Sequence, residues 1–399
     1  MTLDGLRITM LVTNDVARDA RVLKEAASAA EAGAAVTVVG VGNGEDGSDD
    51  EVYRVRLIKP SPPSAHPLWP LRVTRNLLSE RRLDDRLVSA AIESQPQVIH
   101  SNDLDTLHVG AEVSSRTGAR LVYDAHELFA ETAGRRWWRR ELLRMRERRH
   151  ISAADRVLTV NPLIAELLQQ RHRLAEKPLV VYNGPSACLD RPSPDNTPVR
   201  LLYQGAFHPN RGLEALVSSM DPLRDTCELV LQGWGTLEDE LRGIVQRRRL
   251  DRVVHFRPPC PPHEVVRQAA LCDVGVIVHK ADSLNNKLSS PNKLFDYMGA
   301  GLAVLASDLP FLRSVIEAER CGALFDPAVD GSIAETVRTL AADPIALRQM
   351  KRNSAAACSK FAWSEQERVL VGVYEQLKMD LASESASQTL GNRPRSGMR

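Results

Sequence analysis

The sequence is short of the features that assign a protein to a class at sight. No window of its 399 residues approaches the roughly eighteen uninterrupted apolar positions that a membrane-spanning helix needs. Asp4 and Arg7 precede the first apolar run, Ile8 to Val12, so a signal peptide does not fit and a cytoplasmic location is expected. Charge of one sign is missing too: 52 Lys and Arg stand against 51 Asp and Glu, and a net +1 gives no global field for holding nucleic acid. None of the six cysteines (Cys188, Cys227, Cys260, Cys272, Cys321, Cys358) approaches a C-x-x-C spacing. That excludes the common zinc and redox motifs and leaves buried free thiols as the expectation. The loop Asn14-Asp15-Val16-Ala17-Arg18 lacks the Gly-x-Gly-x-x-Gly that brings a pyrophosphate to a helix, which weighs against a nicotinamide or flavin enzyme. With 43% hydrophobic and 26% charged residues the chain is neither disordered nor collagen-like, and its length suits two domains.

What is present is an alternation of strand and helix patterns. Periodicity predicts a strand over 7–13, a helix over 17–32 stopped by Gly33, and strands at 35–41, 98–100, 120–123 and 156–160, with a helix over 106–117. Asn183 to Pro198 is a run of turn formers and reads as a linker. The alternation then restarts, with strands at 200–203, 228–231, 253–256, 274–278 and 303–306, and helices near Leu213 and from Asn292. This calls for an α/β fold of two doubly wound halves, each with a parallel sheet covered on both faces and a cleft between them. Glu384 to Arg399 has almost no apolar residues and is expected to be a disordered tail.

Ligands in such sheets sit beyond the carboxyl ends of the strands. Gly40, Gly42 and Gly44 follow a strand, but Glu45, Asp46, Asp49, Asp50 and Glu51 would repel a phosphate, so a solvated loop is expected. Asp124-Ala125-His126-Glu127 places an imidazole and carboxylates at a strand end, for substrate contact or for local backbone bonds, with no fourth ligand for a metal. In the second half, Gly205 lets a ligand approach the backbone and Arg211 offers a phosphate-matching fork at a helix start. Ser290-Pro291 reads as a helix cap and first position, leaving the amides of Asn292 to Leu294 free for an anion beside Lys293. Asp296, one turn on, is placed to accept from sugar hydroxyls. An anion site plus a hydroxyl acceptor is what a ribose diphosphate needs.

Ser290-Pro-Asn-Lys-Leu-Phe-Asp296-Tyr-Met298 resembles the Ser-Pro-Asn-Lys-Leu-Phe-Glu-Tyr-Met of GT-B glycosyltransferases of family 4. Asp19-Ala-Arg-Val22, Asp124 to Glu127, Gly205 to Gly212, Gly233-Trp-Gly235, Asp308 and Trp363-Ser-Glu365 extend the resemblance over nearly the whole chain. It implies a GT-B fold, two Rossmann-like doubly wound domains facing across a cleft. Residues 1–184 would bind the acceptor, 185–198 would link, and 199–362 would bind the nucleotide-sugar donor. A helix over 363–380 would return to the first domain, and 381–399 would be the tail. The activity implied is sugar transfer with retention of configuration from a UDP or GDP donor, without a bound metal or other cofactor. Arg211, Lys293, Gly205 and Leu294 would hold the diphosphate, Asp296 the ribose, and Gly233 and Arg257 the base. His126 would be catalytic across the cleft, with Asn14, Asp15 and Glu127 on the acceptor side. The family's usual sugar-contacting Glu is Leu288 here, which passes that role to Asn285, Asn286 or Lys287; Ala206 replaces a frequent Arg, which throws diphosphate binding onto Arg211 and Lys293. A non-catalytic sugar-nucleotide binding subunit and a sugar-nucleotide epimerase are the alternatives. The acceptor would be a small molecule, a glycan or a lipid-linked glycan.

One segment stands out for charge. Between Gly134 and His150 eight arginines (135, 136, 139, 140, 144, 146, 148, 149) face only Glu141 and Glu147, and Trp138, Leu142 and Met145 recur at helical spacing. Such a helix suits the surface of an anionic membrane, so peripheral contact at the inner face of the cell membrane through Arg135 to Arg149 is expected. The competing expectation is that the apolar stripe packs on the first domain. RNA is disfavoured because the two adjacent tryptophans offer no stacking platform.

Overall fold

The computed structural model describes residues 2–14, 16, 19–43, 52–60 and 69–391. Asp15, the acidic loop from Gly44 to Glu51 and the tail beyond Gly391 lie outside the described residues. Seven strands form the first sheet: β1 (Arg7–Leu11), β2 (Ala35–Val41), β3 (Arg54–Ile58), β4 (Val98–Asn102), β5 (Arg120–Ala125), β6 (Arg156–Thr159) and β7 (Leu179–Val180). Six form the second: β8 (Val199–Gln204), β9 (Cys227–Gln232), β10 (Val254–Arg257), β11 (Val274–Ile277), β12 (Ala303–Ser307) and β13 (Gly322–Phe325). Their orders are β3-β2-β1-β4-β5-β6-β7 and β10-β9-β8-β11-β12-β13, all pairs parallel.

In both sheets the order reverses beside the first strand of the half, and a crevice opens at that switch point. The central strands β4, β11 and β12 are buried along their whole length, because helices cover both faces. Apolar clusters accordingly lie on each side of each sheet, Val22, Val36 and Val122 on one face of the first and Ile99, Leu121 and Ile164 on the other. The first helix runs Ala20–Glu31, three residues later than the periodicity predicts, because the Asp19 carboxylate accepts from the Arg21 and Val22 amides at 3.2 Å and so caps it there. The helix before β5 begins at Asp103 rather than 106. Strand β3 and the helix Trp69–Glu93 were not legible in the sequence pattern.

The segment from 185 to 198 is not the loose connection its turn formers suggest. Leu189 and Ser193 amides donate to the carbonyls of Gly299 and Gly301 at 2.8 and 3.2 Å. Cys188 is disulfide-bonded to Cys358, which corrects the free-thiol expectation for that pair; Cys227, Cys260, Cys272 and Cys321 are free. A separation of 170 residues hides such a pair from any reading of local spacing. The last helix, Trp363–Gly391, crosses back to the first domain. There Trp363, Leu370, Val373, Tyr374 and Leu377 join the core that includes β1 residues, and Trp363 Nε1 donates to Ser28 Oγ at 2.9 Å. This helix runs past residue 380, so residues 381–391 are helical and not part of a structureless tail.

Candidate active site

A cavity of about 400 Å³ lies where the carboxyl ends of the two sheets face each other, lined by side chains of both domains. On the first-domain side, the register that sets Asn102 beside Asp124 brings the ends of β4 and β5 together. Asp103, just past β4, adopts φ +61°, a conformation that Asp tolerates better than most residues and that stores strain at the cleft. Its Oδ1 accepts from the His126 amide at 3.0 Å, and its Oδ2 lies 3.5 Å from His126 Nδ1. On the other edge of the ring, Nε2 is 3.3 Å from Asp124 Oδ2. Burial by itself would pull the imidazole pKa down, but Asp103 and Asp124 outweigh it and push it up to about 10. His126 is therefore an imidazolium facing the cavity. Burial raises Asp103 to about 7 despite this neighbour.

Beneath His126 lies a buried charge network. Arg21 reaches Asp124 Oδ2 with Nε and Nη2 at 3.0 and 2.6 Å, Glu25 Oε1 with Nε at 2.9 Å, and the Val181 carbonyl with Nη1 at 2.7 Å. Opposed burial and Arg21 attraction leave Asp124 well below the usual carboxylate range. Burial drives Glu25 upward. His100 turns Nε2 toward Glu25 and Asp124, at 3.7 and 3.8 Å, and its Nδ1 lies 2.6 Å from the Tyr374 hydroxyl on the last helix. Glu25, Asp124 and His126 offer ligand atoms within 4.8 Å of one another, a possible metal set by residue type. The Arg21 guanidinium already lies against both carboxylates, so the cluster is charge-compensated from within. Glu127, the acid the sequence groups with His126, turns away: its Oε2 accepts from Asn285 Nδ2 at 2.9 Å.

The second-domain wall is cationic. Gly205 follows β8 with φ +130°, a backbone conformation that favours glycine, and a Cβ there would stand 2.9 Å from Lys293 Nζ. Arg211 Nη1 donates to His279 Nε2 at 2.8 Å. Burial, Arg211 and Lys293 hold His279 well below the ordinary imidazole range, so it accepts as a neutral ring. Burial and then Arg211 lower Lys293 to about 8. Asp296 rises to about 6 through burial, partly offset by Lys24 of the first domain and by Lys293. Arg211 and Lys293 thus face one carboxylate on their own wall, Asp296, with Lys24 near it from the first domain; Glu127, the other carboxylate of the lining, is engaged with Asn285.

His126, Glu127, Gly205, Arg211, Asn285, Asn286, Lys293 and Asp296 all line this cavity. Other expected residues do not. Leu294 is buried in the core, and its amide donates to the Pro291 carbonyl at 3.0 Å, so it is not a free anion donor. The helix is Asn292–Gly299 with Pro291 in the cap position, one residue later than the Ser-Pro reading places it. Lys287 is exposed and outside the lining, and Asn14 bonds Asp19 Oδ2 at 2.6 Å on the surface. Gly233 and Arg257 pair through backbone at 3.1 Å beside Gly205, outside the cavity lining. Asn285 is engaged with the opposite domain through Glu127 and the Leu128 amide, at 2.9 Å each. Leu288, where a carboxylate was expected by resemblance, packs against the first-domain core and gives its carbonyl to Asn161 Nδ2 at 2.8 Å. Asp103, Gln204 and His279 were missed, although each follows or ends a strand and the rule of strand ends would have found them.

Two family models match in succession: the glycosyl transferase 4-like domain over residues 19–184 and glycosyl transferases group 1 over residues 198–343, together more than three quarters of the chain. The chain belongs to the GT-B glycosyltransferases. Solved structures with the same fold include sucrose-phosphate synthase from Thermosynechococcus elongatus, TM-score 0.77 at 17% identity, covering 94% of this chain and 100% of that one. Anabaena HepE in complex with UDP-glucose follows with TM-score 0.71 at 18% identity, covering 95% and 100%. The E. coli structure described as trehalose-6-phosphate bound with UDP-2-fluoro glucose has TM-score 0.67 at 11% identity, covering 92% and 99%. At these identities the likeness is one of fold. No curated protein matches the chain at the sequence level. This glycosyltransferase is an enzyme, and the two walls of its cleft belong to the two matched regions.

Proposed function

We propose that this glycosyltransferase moves a sugar from a nucleoside diphosphate to an acceptor hydroxyl, with retention of configuration, as the family 4 motif resemblance implies. The observation that carries the donor class is the pair of half-buried cations on the second-domain wall: Lys293, held down to about 8, stands beside Arg211 with Asp296 as the one carboxylate of that wall's lining. A diphosphate supplies the missing negative charge, and Asp296 is left to accept from the ribose. The same two cations face the charge that grows on the diphosphate as the bond from sugar to phosphate breaks, which lowers the barrier without a metal ion. His126, charged and across the cavity, donates to an oxygen of the transferred sugar or of the leaving group. UDP is the favoured base because UDP complexes recur among the structural neighbours, with GDP as the comparison.

The test is calorimetry with UDP and GDP on folded variants. Arg211→Ala and Lys293→Ala should each weaken binding by about 1.5–3 kcal/mol, the range for hydrogen bonds to charged groups. Unchanged affinity in both, or a wild type that binds neither nucleotide, would overturn the donor assignment. Product anomer determination by NMR then decides retention.

A further inference from the structure

The helix Trp137–His150 is mounted inside out. Its inward face is polar: Arg144 Nε and Nη2 donate to Glu131 at 2.8 and 2.9 Å, Glu147 accepts from the Tyr123 hydroxyl at 3.1 Å, and His172 Nε2 lies 3.2 Å from Glu147. Only Leu143 of this helix packs on the apolar core of the first domain. The outward face carries the large apolar groups instead, with Trp137, Trp138, Leu142 and Met145 exposed by 77, 38, 55 and 57%. The expectation that this stripe packs on the domain is thus overturned. Folding gains little from the parts of these side chains left in water, above all Trp137, and a surface of this kind marks a contact with something else.

The flanking charge says what. Arg136 and Arg139 at one end and Arg148 and Arg149 at the other are exposed, and none makes a salt bridge among the described residues. The apolar stripe therefore lies between two pairs of exposed guanidinium groups, of which Arg139 sits over the Trp138 ring at 5.3 Å from its centroid, on a convex helix and not in a groove that would cradle a peptide. A second copy of the chain would set like charges against each other. An anionic bilayer meets every feature: headgroup phosphates for the arginines, the headgroup level for the indoles, and the acyl boundary for Leu142 and Met145. We propose that this face docks the enzyme on an anionic lipid surface.

Its place in the fold links it to the cleft. The helix follows His126 and Glu127 after the short turn Phe129–Glu131, and the second-domain helix Leu284–Leu288, which carries Asn285, packs on that turn. A bilayer held by the helix therefore borders the acceptor side of the cavity, and the acceptor would be a lipid-linked molecule; this last clause rests on the transferase reading above.

Flotation of the full chain with phosphatidylglycerol/phosphatidylcholine vesicles tests the proposal, with pure phosphatidylcholine vesicles and a short RNA in parallel. Binding to the anionic vesicles is expected at low salt, falling steeply as salt shortens the Debye length to about 10 Å at 0.1 M. At about 1 kcal/mol, or roughly fivefold, per arginine, Arg136→Gln/Arg139→Gln/Arg148→Gln/Arg149→Gln should lower vesicle affinity by more than a hundredfold. Trp137→Ser/Trp138→Ser should weaken it at any salt concentration. A wild type that ignores anionic vesicles, binds neutral ones equally well, prefers the RNA, or is unaffected by either set of substitutions overturns the proposal. UDP calorimetry on the same variants separates the two readings: unaltered nucleotide binding with lost flotation supports the docking face. A wild type that floats but binds no nucleotide removes the transferase reading and leaves the surface standing.

Discussion

His126 shows how a side chain of ordinary chemistry acquires a special state from its neighbours. Asp103 and Asp124 face opposite edges of the imidazole, the Arg21 guanidinium lies behind Asp124 with Glu25 and His100, and Glu127 is turned to Asn285. With a pKa near 10 the ring donates and cannot act as a base in the free enzyme. Removing one of the two carboxylate charges should bring it down. Asp103→Asn is the informative change, because Asn tolerates the positive φ at 103 and the backbone can stay as it is. NMR titration of the His126 ring should show its pKa falling toward the ordinary value near 6.5. The rate of transfer should drop with little change in donor KM, and the alkaline limb of its pH profile should move to lower pH. A ring that titrates at the same pH in both proteins would show that Asp103 does not set its charge.

At the scale of one element, the helix Asn292–Gly299 carries Lys293 into a place where its charge is costly. Burial and Arg211 lower its folded pKa to about 8 from the 10.5 of an unhindered lysine. Between those values the unfolded chain binds more protons than the folded one, so this group's contribution to stability rises as pH climbs from about 8 to 10.5. Below pH 8 the full cost is present. Nucleotide binding should run the other way in the same window, since a diphosphate favours the ammonium and affinity is lost as Lys293 deprotonates, by up to about tenfold per pH unit. Lys293→Met should raise the melting temperature at neutral pH while removing most UDP affinity, and should abolish the loss of affinity above pH 8. Thermal melts and calorimetry across pH 7 to 10 check both signs. Lys24, also lowered to about 8 by burial, adds a stability term of the same direction, so the variant and not the pH profile alone isolates Lys293.

For the whole molecule the decisive feature is that the chain crosses between domains twice, side by side. The Trp363 amide donates to the Pro185 carbonyl at 2.9 Å, and a Cβ at Gly184 would overlap the Phe361 carbonyl oxygen. The last helix then buries Leu370, Val373, Tyr374 and Leu377 against the first domain. At about 1.5–3 kcal/mol for each fully buried side chain, their loss rivals the entire stability of a typical domain. Residues 1–184 alone should therefore fail to unfold cooperatively, and joining residues 363–391 to them should restore a sigmoidal thermal transition. A cooperative transition in 1–184 by itself would show that the returning helix is an accessory.

Local pattern was enough for ten of the thirteen strands, though not for β3, β7 and β13, and for the cleft, the loops holding His126 and Arg211, and the helix holding Lys293 and Asp296. Period-2 and period-3.6 patterns, turn formers and strand-end loops are properties of short stretches of chain. What depended on residues far apart could not be read that way. Cys188 meets Cys358 only after a helix of the second domain has packed against the linker. Asp103 reaches His126 because parallel pairing aligns the ends of β4 and β5. Asn285 meets Glu127 through the apposition of the domains. The stripe of Trp138, Leu142 and Met145 has the same helical spacing whether it faces inward or outward; the ion pairs of Arg144 and Glu147 with residues on other elements turn it to the outside. Sequence determined which residues could do chemistry here, and tertiary packing decided which of them meet and in what charge state, because desolvation and Coulomb attraction act through space and not along the chain.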